Sequence, residues 1–110
     1  MGLFNLLSLL RKRERLAKLA RRIAERSLDE VARRVVGLNP AAPAAETRGY
    51  IRARAAVVIY REVHAALARE RHVVFADRAK LVRLATDEVV NTVAAQTAIV
   101  RARQFQVAAA

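Results

Sequence analysis

The chain has no cysteine and no tryptophan, and its 110 residues include only two prolines, three glycines and five aromatics. Without cysteine there are no disulfides and no thiolate metal sites, and the redox compartment is left open. So few prolines and glycines supply little turn chemistry, which predicts few connections and long helices. The aromatics are Phe4, Tyr50, Tyr60, Phe75 and Phe105. A core must therefore be built from Ala, Val and Leu, which suits closely approaching helices better than a sandwich of bulky side chains. Long apolar runs are missing too. The stretch Leu3 to Leu10 is far shorter than the roughly 20 residues a membrane-spanning helix needs. Its positive charge follows rather than precedes it, the reverse of a secretory signal, and Leu6 stands where a myristoylation pattern wants Ser or Thr. A cytoplasmic, non-spanning protein is expected, with peripheral attachment to a membrane left open.

What is present is concentrated at the start. Leu3, Phe4, Leu6, Leu7, Leu9 and Leu10 are followed without a break by Arg11, Lys12 and Arg13. Between Arg11 and Arg26 eight basic residues stand against Glu14 and Glu25, so this stretch carries +6 of the chain's formal +11. An apolar tip on a cationic shaft suits a partner that is apolar, anionic or both. The opening Gly2-Leu3-Phe4-Asn5-Leu6-Leu7 resembles the start of surface-active amphipathic peptides, a likeness too short to carry function across.

The length suggests one domain with a modest core. Leu9, Leu16, Leu19, Ala20 and Ile23 recur at helical spacing, while Arg11, Arg15, Lys18, Arg22 and Arg26 form a basic stripe on the other side. At roughly 100° per residue, Leu3, Leu7 and Leu10 point away from the Leu16 and Ile23 face. A single straight helix then cannot bury all its apolar residues against one partner. Ser27-Leu28-Asp29-Glu30 reads as a capping box, which predicts a break near Arg26 and a short helix ending at Gly37, a residue suited to a left-handed terminator. Asn39 to Pro43 is the main connection, with Pro43 fitting the first turn of the next helix. Gly49 marks a later helix start or a close backbone approach.

From Glu46 to Arg71 an uninterrupted apolar centre, Ala55 to Tyr60, predicts a central helix. His72 to Phe75 reads as a β-prone connector that plugs the end of the core. Asp77 reads as an N-cap for a last helix running to about Arg103, with Gln106 to Ala110 fraying. In that helix Val82, Thr86, Val89, Val93, Gln96, Val100, Arg103 and Val107 alternate steps of four and three, a heptad-like seam. The expected fold is all-α: a small helical bundle with a long antiparallel helix pair and a basic amphipathic N-terminal helix. Residues 1–26 form the apolar-tipped helix, 27–38 a short capped helix, and 39–110 a helical hairpin core.

Nothing in the sequence carries catalytic chemistry. His64 and His72 would lie about 12 Å apart on a helix, no HExxH spacing occurs, and Ser27 already has a capping role. Asp87 and Glu88 are adjacent and face different ways. No catalytic residue, metal or cofactor is expected. The expectation is a non-catalytic structural or interaction module that attaches to an anionic surface, lipid ahead of nucleic acid. Leu3, Phe4, Leu6, Leu7 and Leu10 would make the membrane or partner contact. Arg11, Lys12, Arg13, Arg15, Lys18, Arg22 and Arg26 would bind the anions, and Arg48, Arg52, Arg54 and Arg61 would extend the basic surface. Val82, Val89, Val93 and Val100 would form an oligomer seam. The alternatives are a subunit of a larger assembly docking by its N-terminal helix, and a protein that coats nucleic acid through charge alone.

Overall fold

The computed structural model describes residues 2–39, 41–70 and 75–109, the side chains of Phe105, Val107, Ala108 and Ala109 excepted. Three helices pack against one another: α1 (Leu3–Arg34), α2 (Ala44–Arg69) and α3 (Arg78–Ala109), the last preceded by a 3-10 turn at Phe75–Asp77. No strand occurs among the described residues. The chain is an all-α small helical bundle.

Side-chain contacts fix the directions of the helices. Arg48 donates to Asn91 and Arg52, one turn on, donates to Asp87, one turn back, so α2 and α3 are antiparallel. Arg61 reaches Glu30 on α1. Lys12 meets Asp77 just before α3 begins, and at the far end Val35 shares a groove with Val93 and Val100. Helices α1 and α3 therefore run parallel, with α2 returning between their ends.

The core is aliphatic throughout. Leu16, Leu19 and Ile23 from α1, Ile51, Val58, Ile59 and Val63 from α2, and Leu81, Val89 and Val90 from α3 are all buried. Interleaved alanines, among them Ala20, Ala55, Ala66 and Ala85, let the backbones approach. Each large aliphatic side chain removed from water contributes roughly 1.5–3 kcal/mol.

Several local expectations are overturned by this packing. The break near Arg26 and the separate helix over 27–38 do not occur, because α1 continues through Ser27 to Arg34. Ser27 is buried and donates its hydroxyl to the Ile23 carbonyl at 2.7 Å, while Glu30 turns across to Arg61. Both halves of the expected capping box are spent on other partners, and Val31 carries the same apolar face onward into the core. Gly37 is not a left-handed terminator, since no glycine has positive φ. The helix instead ends at Val35, whose amide donates to the Ala32 carbonyl.

Pro43 stands immediately before the first residue of α2. Gly49 lies inside that helix, with open space where a side chain would go, so it neither starts a helix nor admits a neighbouring backbone. Of the expected core plug, His72, Val73 and Val74 lie outside the described residues. Phe75 is exposed, with the Arg78 guanidinium 4.7 Å from its ring centre, so it plugs nothing. Asp77 makes no capping hydrogen bond among the described residues and pairs with Lys12 at 3.4 Å. Helix α3 extends past Gln106 to Ala109.

A helix of 32 residues is about 48 Å long, yet the molecule extends 62 Å. The two parallel helices must therefore be offset along their common axis. Nine residues of α1 precede the Lys12–Asp77 contact, about 14 Å of helix, and these project past the bundle at one end. The last residues of α3 project at the other.

Candidate anionic-surface interface

The projecting end of α1 is the apolar tip. Every residue from Gly2 to Arg15 is exposed, including Leu3 at 70% and Phe4 at 87%. The buried residues Leu16, Ala20, Ile23, Ser27 and Val31 define the side of α1 that faces α2 and α3. Leu9 continues that side beyond the point where the partners end. Leu6, Leu10 and Leu3 step progressively off it, Leu7 lies opposite, and Phe4 falls on the line of the basic stripe. The tip thus carries an apolar girdle spanning roughly 220° of its circumference at about 100° per residue. Its N-cap, Gly2, has no side chain to cap the helix, and no acidic residue lies in the first turn. The positive end of the helix dipole is left uncompensated there.

Below the girdle, Arg11, Lys12, Arg13 and Arg15 point in different directions around the helix and form a collar. Lys12 is tied to Asp77. Arg11, Arg13, Arg15, Lys18, Arg22 and Arg26 are exposed and make no ion pair among the described residues. The α2 arginines differ. Arg48 is bonded to Asn91 at 2.6 Å, Arg52 to Asp87 at 2.9 Å, and Arg61 to Glu30, while Arg54 stacks on the Tyr50 ring. Arg48, Arg52 and Arg61 serve the helix contacts, so the unpaired cations of α1 form the longest basic stripe, with Arg69 on α2 and Arg83 and Arg103 on α3 also exposed.

The valine seam of α3 lies mostly inside this chain's own bundle. Val89 and Val93 are 1% and 3% exposed and Val82 packs against the core, whereas Val100 is 53% exposed. Val89 and Val93 therefore face α1 and α2 and offer no surface to a second copy, while Val82 is half-buried. Thr86, a polar position of the same seam, is buried in the same interior. Arg69 is a residue that sequence reasoning missed. It stands beside Arg22 and Arg26 at the α1–α2 boundary, and no spacing along the chain could have linked them.

The Arg61 hydrogen bond holds the Glu30 carboxyl below its ordinary range, and Glu30 raises the Arg61 guanidinium in turn. His64 is exposed with its ring edge-on to Tyr60, and His72 lies outside the described residues. Among the described residues no three His, Asp or Glu side chains gather in a way that could hold a metal. No described helix is long and apolar enough to cross a membrane. The chain matches no protein-family model, no curated protein and no solved structure.

Proposed function

We propose that the protein is a non-catalytic helical module that attaches peripherally to an anionic lipid surface through the first half of α1. The observation that carries this reading is the juxtaposition of an exposed apolar girdle with a collar and stripe of cations, all but Lys12 free of ion pairs among the described residues, on one continuous helix. Partial burial of Leu3, Phe4, Leu6, Leu7 and Leu10 in the acyl boundary draws on roughly 1.5–3 kcal/mol per fully buried side chain. Each basic residue close to anionic lipid adds about 1 kcal/mol. Packing orders α1 only from Leu16 onward, so holding the exposed first turns helical subtracts from this gain. The sum supports reversible attachment.

Lipid vesicles with and without anionic headgroups test this. Changing Leu6, Leu7 and Leu10 to Ser abolishes vesicle binding while low-salt DNA binding stays nearly intact, because phosphates see only charge. Changing Arg11, Arg15, Lys18 and Arg22 to Gln weakens both. Full vesicle binding by the Ser variant would overturn the lipid reading and make the tip a protein contact. If the unaltered protein ignored vesicles but coated DNA at physiological salt, a nucleic-acid coat would replace it.

A further inference from the structure

The α1–α2 interface treats its arginines differently at its two ends. At one end Arg61 is neutralised by Glu30. Eight residues back along α1 and eight forward along α2, about 12 Å away, the antiparallel register brings Arg22 level with Arg69. There a small pocket opens, lined by Leu19, Arg22, Ile23, Arg26, Arg69 and Glu70. Its floor is apolar, since Leu19 and Ile23 are buried in the core. None of its three guanidinium groups donates a hydrogen bond or enters an ion pair among the described residues. The one acid in the lining, Glu70, is itself engaged.

We infer that this pocket is a binding site for a single phosphate group, held by Arg22, Arg26 and Arg69. The charge balance favours an anion. Three positive groups, less one for Glu70 and about half a charge for the C-terminal end of α2, leave about +1.5. Guanidinium forks match phosphate oxygens in pairs, which a lone carboxylate cannot satisfy three times over. A phosphate monoester carries close to two negative charges at neutral pH, more than a diester brings to the same space. The recess between two helices suits one headgroup rather than the backbone of a duplex. The source is either a free phosphate compound or a lipid bearing a phosphomonoester headgroup. Only the lipid source rests on the attachment reading, because the pocket stands without the tip.

The experiment uses the full chain and inorganic phosphate, titrated against chloride at matched ionic strength and followed by amide chemical shifts. Saturable shifts confined to the neighbourhood of Arg22, Arg26 and Arg69 are expected, weakened at least tenfold in Arg69→Gln and unaltered in Arg33→Gln, a control at an exposed arginine outside the pocket. Arg26→Gln repeats the test should Arg69→Gln lose its helical circular dichroism. Equal shifts along all of α1, or undiminished phosphate binding in folded Arg69→Gln and Arg26→Gln, would overturn the site. Vesicles containing phosphatidic acid or phosphatidylglycerol at equal surface charge separate the sources. A preference for phosphatidic acid that disappears in Arg69→Gln identifies the lipid headgroup. Altered phosphate binding with no such preference identifies a free phosphate compound. Loss of all vesicle binding on changing Leu6, Leu7 and Leu10 to Ser, with phosphate binding intact, separates attachment from the pocket.

Discussion

Nη2 of Arg61 donates to both carboxylate oxygens of Glu30, at 3.0 and 2.8 Å, and so ties the middle of α2 to the last turns of α1. Glu62 and Arg34 flank the pair at 3.6 and 3.8 Å. The bond lowers the Glu30 pKa from its ordinary 4.5, chiefly through the Arg61 hydrogen bond.

The sign of the pH dependence follows. A carboxyl whose pKa is lower in the folded state contributes stability above its unfolded pKa and loses it as pH falls through the folded value. Urea midpoints should hold steady from neutral pH down to about pH 5 and decline in more acid solution. Glu30→Gln should be less stable than the unaltered protein near neutrality, with the gap closing as pH drops below 4. A gap that is constant across the range would show that the pair is not coupled to folding.

Changing Val89 and Val93 together to Asp should unfold the bundle. Two unpaired charges in an aliphatic interior cost several kcal/mol in total, against a stability of about 5–15 kcal/mol for a domain of ordinary size. Val100→Asp, at an exposed position, should leave the circular dichroism spectrum unchanged. A folded double variant that merely altered its sedimentation would instead place the seam between subunits.

Gly49→Ala should stabilise the protein. The glycine is helical, has no positive φ, and faces open space, so alanine brings its helix preference of about 0.5–1 kcal/mol with no steric cost. Thermal melts should show the gain as a rise of a few degrees, on the order of 4–8 °C per kcal/mol in a domain of this size.

Ser27→Ala separates two readings of one residue. A capping role predicts a loss of about 1 kcal/mol. In the observed helix the hydroxyl only adds a second donor to the Ile23 carbonyl, so alanine should leave stability within about 0.5 kcal/mol of the original, as is usual where no partner is stranded. Chemical denaturation of the two proteins decides between them.

Ser27 and Glu30 also mark where sequence reasoning reached its limit. The all-α class and the span of α2 were legible, because apolar periodicity over 20 or more residues reports the side on which a helix is buried. A capping box is a short local signal, and here its two residues found better partners in the folded chain. The exposed tip could be anticipated from the angular mismatch of Leu3, Leu7 and Leu10 with Leu16 and Ile23. The valine seam could not be assigned to the inside or the outside, since a stripe on one helix does not name what covers it. The meeting of Arg22, Arg26 and Arg69 depends on the register between two helices, which periodicity within each of them leaves free.

The unbroken course of α1 from its tip to Arg34 makes the helix a rigid lever. There is no hinge between the apolar girdle and the core, so whatever grips the girdle also sets the heading of the whole body. The coupling is rotational as well as axial. One alanine inserted between Glu14 and Arg15 would turn the girdle by roughly 100° against the bundle, leaving the composition of both parts as it was. A surface holding that altered tip would then see a different flank of α2 and α3.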